Sequence, residues 1–124
     1  MAVLSLSKSD ILRSKIVKAG WHPVTVKKVN QEPAKSDGGA SMNHVIDFEI
    51  DEGEFAGVPL RTWISEKAPG TGMSFLRGCG FKISEDGGDF DLDKTMGKKL
   101  MARVETREFK GNFQNSVVDF RVRA

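Results

Sequence analysis

The clearest regularity in the chain is a period of two. His44, Ile46, Phe48 and Ile50 alternate with Val45, Asp47 and Glu49 over residues 44–50, which predicts a strand with one face buried. Val58, Leu60, Thr62 and Ile64 alternate with Pro59, Arg61, Trp63 and Ser65 in the same way. The intervening Asp51-Glu52-Gly53-Glu54-Phe55-Ala56-Gly57 carries two glycines and reads as a turn, so these two strands form a hairpin. With Leu60, Thr62 and Ile64 inward, Arg61 and Trp63 share the outward face.

An earlier strand is predicted over residues 21–30, where Val24, Val26 and Val29 lie among Thr25, Lys27 and Lys28 after the turn signals Gly20 and Pro23. Its alternation slips at Lys27 and Lys28, and a β-bulge there would restore the phase and bend the strand. Residues 31–41, with Pro33, Ser36, Asp37, Gly38 and Gly39, have no apolar period and read as a long loop.

Beyond Pro69 and Gly70 the period changes. Met73, Leu76 and Cys79 recur every three residues, Phe75 flanks them and Gly80 supplies a stop, which predicts a short helix. Residues 84–95 read as an acidic, solvated loop with one helical turn near 92–96. Two further strands follow: Leu100, Ala102 and Val104, then Val118, Phe120 and Val122. Between them Phe109-Lys110-Gly111-Asn112-Phe113 forms a hairpin tip flanked by aromatics. Near the start, Ser7 and Asp10 have the spacing of a capping box, placing a short helix within an N-terminal extension, residues 1–19.

Three strands, a helix and two strands give a mostly β fold, expected to be a five-stranded OB-fold Greek-key barrel over residues 20–124 with a short helix between strands three and four. At 124 residues and 39% hydrophobic content the chain has material for one core. No apolar run approaches the roughly 20 residues of a membrane span. Lys8, Asp10 and Arg13 interrupt the apolar N-terminus before a signal sequence can form, so a cytoplasmic location is expected. Cys79 is the single cysteine, has no disulfide partner within the chain and fits a reducing compartment.

Charge is small in total, +2, but segregated. Residues 1–35 carry 7 basic and 2 acidic side chains, residues 36–93 carry 4 and 12, and residues 94–124 carry 8 and 3. Two basic thirds suit a polyanion if folding brings them together; the plainer reading is a solubilising surface that happens to be segregated.

Three stretches carry a resemblance: Gly20-Trp21-His22-Pro23-Val24; Phe48-Glu49-Ile50 with Gly53-Glu54-Phe55-Ala56-Gly57; and Gly97-Lys98-Lys99-Leu100 leading to Phe109-Lys110-Gly111-Asn112 and Asn115. In order and spacing they resemble the phage-encoded OB-fold single-stranded DNA-binding proteins over residues 20–122. The resemblance implies a barrel that coats single-stranded DNA during phage replication or recombination, inside the bacterial host. Many such proteins end in an acidic tail that recruits replication proteins; this chain ends Asp119-Phe120-Arg121-Val122-Arg123-Ala124, so recruitment by a tail is not expected.

Gripping a strand without reading it takes cations for phosphates and flat rings for bases. Arg61 and Trp63 offer both on one strand face. In OB-folds, nucleic acid crosses strands two and three between the loops joining strands one to two and four to five; here those loops hold Lys35, Phe109, Lys110 and Phe113. Lys27, Lys28, Arg103 and Arg107 would extend a cationic groove. The outward Asp47 and Glu49 oppose this, unless the strand avoids them or basic neighbours neutralise them. Trp63 could instead cover a barrel end or a dimer contact, at least one of Phe109 and Phe113 is expected to pack on its own hairpin, and Trp21 reads as a core plug.

His22 and His44 have no catalytic metal spacing, and neither a phosphate loop nor a serine nucleophile elbow occurs, so neither enzyme activity nor a cofactor is expected. Asp86, Asp89, Asp91 and Asp93 lack the glycine and terminal glutamate of a calcium loop. The expected partner is single-stranded DNA, with replication or recombination proteins and further copies of the chain as other candidates, and no membrane. The competing readings are a phage structural or adaptor barrel that uses exposed aromatics for protein contacts, and an OB module for structured RNA.

Overall fold

A computed structural model describes residues 2–33, 38 and 42–123, apart from the side chains of Ser9, Arg13 and Phe109. The elements in chain order are α1 (Lys8–Ser14), β1 (Gly20–Pro33), β2 (Met42–Ile50), β3 (Pro59–Ser65), α2 (Gly70–Gly78), a 3₁₀ turn (Leu92–Thr95), β4 (Lys99–Phe109) and β5 (Asn112–Val122). The fold is mostly β. One five-stranded antiparallel sheet has the order β3-β2-β1-β4-β5, and its two outer strands, β3 and β5, approach one another, which is consistent with a barrel-like fold.

β1 produces the curl. Its first half, Gly20 to Thr25, pairs with β4, and from Val24 onward it pairs with β2. The β2 pairing steps from Val26↔Phe48 to Lys28↔Asp47, so Lys27 is the extra residue of a bulge, where the broken alternation predicted one. A bulge adds twist and bend, which curls β1 between its pairing with β4 and its pairing with β2.

The inward residues of all five strands meet in one core, with Val24, Val26, Ile46, Phe48, Ile50, Leu60, Ile64, Leu100, Ala102, Val104 and Phe120 buried. Phe48, Phe75 and Phe120 form its aromatic centre, with ring centroids 5.4–5.7 Å apart. α2 buries Phe75 there and packs Cys79 against the same core, Leu76 is buried as well, and Met73 stays exposed. The helix face is therefore Phe75, Leu76 and Cys79, rotated from the Met73-Leu76-Cys79 stripe of the sequence. Phe75, the one aromatic side chain of α2, takes the deepest position because it carries the most apolar surface out of water. Gly78 brings α2 against the sheet: a Cβ there would lie 3.1 Å from both Leu100 Cδ1 and Phe120 Cβ.

β4 and β5 run several residues further toward their hairpin than the apolar alternation indicates. They are joined by Lys110 (φ 51°) and Gly111 (φ 81°), and two successive left-handed residues match the twist of paired strands. A second bulge shifts the pairing between Arg103↔Asp119 and Val104↔Val117. Val117 therefore packs on the core with Phe120, Val118 becomes the inserted residue, and Val122 is 60% exposed at the strand end. The inward set Val118, Phe120, Val122 is corrected accordingly.

The N-terminal segment is fastened to the sheet. Ser7 and Asp10 form a reciprocal capping box at the start of α1. Val17 is completely buried in the core, and Asn115 on β5 clasps its flank, accepting from Val17 N at 2.8 Å and donating to Lys15 O at 2.9 Å. At the opposite end, Arg123 donates to Val24 O at 2.7 Å and to the carboxylate of Asp51, which also accepts from Thr25 Oγ1 at 2.7 Å. This cluster ties the end of β5 to β1 and to the β2–β3 turn.

Candidate nucleic-acid interface

β3 builds the centre of the site. Leu60, Thr62 and Ile64 are buried, so alternation turns Arg61 and Trp63 outward, with Trp63 52% exposed. A groove of about 590 Å³ on one side of β3 is lined by Lys27, Lys28, Asp47, Glu49 and Arg61. A second, of about 350 Å³, is lined by Ile16, Arg61, Trp63, Phe113 and Asn115. Pro59, Leu60 and Arg61 line both, so the two adjoin along β3 from the β1 bulge to the β4–β5 hairpin.

Within this surface the side chains are partly committed. Arg61 grips Asp47 with two hydrogen bonds, Nε to Oδ1 at 2.6 Å and Nη2 to Oδ2 at 3.3 Å. That ion pair neutralises Asp47 and also occupies the guanidinium, while Glu49 lines the same groove with no ion pair among the described residues. Trp63 donates its indole N–H to Glu32 Oε1 at 2.9 Å, which fixes the ring edge and leaves a face open. Lys27 and Lys28 have no ion-pair partner among the described residues; the bulge turns both to solvent. Phe113, 59% exposed, stands beside Trp63 across the second groove.

Five of the ten sequence-derived site residues thus come together: Lys27, Lys28, Arg61, Trp63 and Phe113. Lys110 occupies the hairpin turn. Arg103 and Arg107 lie on β4, outside the lining of both grooves, each 3.9 Å from a carboxylate oxygen of Glu105. Lys35 and the side chain of Phe109 lie outside the described residues. Trp21 is not a core plug. It is half-buried on the outer side of β1, with the Arg121 guanidinium carbon 4.3 Å from its ring centroid, because the inward positions beside it belong to Val24 and Val26.

Sequence reasoning missed Glu32 and Ile16. The absence of an apolar period places Glu32 in a loop, but β1 continues to Pro33 and brings it to Trp63. Ile16 belongs to the N-terminal extension and carries no local signal; its neighbour Val17 places it by being buried.

Among the described residues no group of three or more His, Cys, Asp or Glu could hold a metal ion, and no helix is long and apolar enough to cross a membrane. Burial pushes the Cys79 thiol up to about 11, against the opposing charge of Lys98, so it is protonated and a poor nucleophile at neutral pH. Compared with known proteins, the chain matches no family model and no curated protein.

Proposed function

We propose that this protein binds single-stranded DNA without reading its sequence, along the outer side of β3, and that it coats strands during phage DNA replication or recombination. The observation that carries this reading is the convergence of Lys27, Lys28, Arg61, Trp63 and Phe113 on two adjoining grooves. Cations that track phosphates beside exposed rings that accept any base are what sequence-independent binding needs, each stacked base contributing about 1–3 kcal/mol. The sheet order supports an OB-type Greek-key barrel on this reading: β1 is shared between β2 and β4, α2 follows β3, and β3 nears β5. The protein then works in the cytoplasm of a bacterial host without cofactor or catalysis, beside replication or recombination proteins.

A second reading, a phage structural or adaptor protein, is favoured by the apolar character of Ile16, Trp63 and Phe113 around one groove. Fluorescence separates the two, because the chain has two tryptophans and no tyrosine. In a Trp21→Phe variant, a single-stranded homopolymer should quench Trp63, more weakly as salt rises, and duplex should quench it less. No quenching at low salt would refute DNA binding along β3 and put the adaptor first for this groove. Tighter binding of structured RNA would move the proposal to RNA.

A further inference from the structure

The charge of this protein does not follow its first groove. β2 and β3 belong to the acidic middle third of the sequence, whereas β1, β4 and β5 come from the two basic thirds, and the sheet order sets those three side by side. Leu100, Ala102 and Val104 are buried, so Lys99, Met101 and Arg103 of β4 point outward. The register sets Lys99 opposite Thr25, Arg103 opposite Trp21, and Met101 opposite both Pro23 and Arg121.

At the middle of this face the Arg121 guanidinium lies over the Trp21 ring, its carbon 4.3 Å from the ring centroid. Arg121 is exposed and has no ion-pair partner among the described residues. Arg103 lies 3.9 Å from Glu105, stands opposite Asp119 in the register, where its charge helps to hold that carboxylate ionised, and keeps a buried Nε without a partner. The carboxylates nearby are largely engaged: Asp119 accepts from Ser74 and from Phe120 N, and Asp51 is held by Arg123 and Thr25. Glu52 borders the adjoining recess, which Pro23, Met101, Arg121 and Arg123 also line. A guanidinium seated over an indole leaves its outer side open, and a guanidinium plane is a surface on which a nucleobase stacks.

We propose that the outer face around Trp21 and Arg121 is a second single-strand contact, where a base stacks on the open side of Arg121 while Arg103 and Lys99 take flanking phosphates. The proposal extends the single-strand reading: a long strand leaves the Trp63–Phe113 groove, crosses Lys27 and Lys28, and continues onto this face. The connection is short. Thr25, opposite Lys99, precedes the Lys27 bulge by two residues, and Val26 N donates to Lys98 O at 2.9 Å.

Two single-tryptophan proteins test this. In Trp63→Phe the remaining Trp21 reports the second face; in Trp21→Phe the remaining Trp63 reports the first groove. Each is titrated with homopolymers of about 6 and about 30 nucleotides, lengths that fall near the bottom and above the top of the range one OB-type barrel covers. The long strand should change Trp21 emission, and Arg121→Ser in the same background should abolish that change. The same substitution should weaken binding of the long strand at least about fivefold, the lower limit for one lost stacked base, and leave the short strand within about twofold. Matched thermal melts confirm that Arg121→Ser folds. A Trp21 signal silent at both lengths, or one unaltered by Arg121→Ser, overturns the second contact. If Trp63 responds while Trp21 is silent, the first groove stands alone; if Trp21 responds while Trp63 is silent, the first groove is the reading that fails.

Discussion

Asp47→Asn isolates the electrostatics of the groove. Asp47 holds Arg61 through two hydrogen bonds, the shorter 2.6 Å, yet the Arg61 side chain is 55% exposed. An exposed pair of this kind contributes about 0–1 kcal/mol to folding, so the variant should melt within a few degrees of the parent. Binding should change more. The first groove carries Lys27, Lys28 and Arg61 against Asp47 and Glu49, a net charge that rises by one in the variant. A phosphate seated on Arg61 would lie near the Asp47 carboxylate, and a unit charge about 4 Å away costs about 1 kcal/mol even in water. Removing it should tighten binding of a single-stranded homopolymer about fivefold at low salt. Freeing Arg61 for one more phosphate should also steepen the dependence of log K on log salt by about 0.7. A salt series of Trp63 quenching titrations reads both quantities. Weaker binding in Asp47→Asn would refute the reasoning, because it would make Asp47 a buttress that aims Arg61 at the strand. An unchanged salt slope would show that Asp47→Asn adds no phosphate contact at Arg61.

Other expectations concern folding. Phe75→Ala removes one ring of the central aromatic trio and should cost about 3–5 kcal/mol, read by urea unfolding; a loss under about 1 kcal/mol would mean that α2 does not close this core. Asn115→Ala breaks both hydrogen bonds to the 15–17 segment and leaves the part-buried Val17 N–H unpaired, a loss of about 1–3 kcal/mol that should come with faster amide exchange at Val17; unchanged exchange there would show that Val17 alone anchors the segment. Burial of Asp51 favours its neutral form, but the hydrogen bonds from Arg123 and Thr25 and the charges of Arg123 and Lys99 outweigh this and hold its pKa below the ordinary carboxylate value. A lowered folded pKa gives stability that is present above the unfolded value of about 3.9 and lost as pH falls through the folded one. The stability advantage of the parent over Asp51→Asn should therefore shrink below about pH 4, and parallel stability curves from pH 7 to pH 3 would contradict it.

Strand identity was legible in the sequence wherever one face is dry and the other wet. The alternation of Ile46, Phe48, Ile50 and of Leu60, Thr62, Ile64 marks β2 and β3, and the same alternation turns Arg61 and Trp63 outward, since a residue's face follows from its parity along a strand. Even the flaw at Lys27 was informative, because a lost phase in an otherwise regular strand is what a bulge leaves behind. The capping box at Ser7 and Asp10 and the 3₁₀ turn at Leu92–Thr95 were readable for a similar reason: their hydrogen bonds join residues two to four positions apart.

Long-range pairing carries no such local mark. The bulge at Val118 exchanges Val118 for Val117 in the core, and only the register against Arg103 and Val104 sets it. Period three suggested Met73, but the inward direction of α2 is set by Phe48 and Phe120, far away in sequence. The commitments of the site are of the same kind: Glu32 to Trp63, Asp47 to Arg61 and Arg121 to Trp21 join residues 14 to 100 positions apart. Periodicity records which residues avoid water, a property each position holds alone. Which residues meet is a property of pairs, and it comes into being when β1 bends and brings the two basic thirds of the chain to the same side of the sheet.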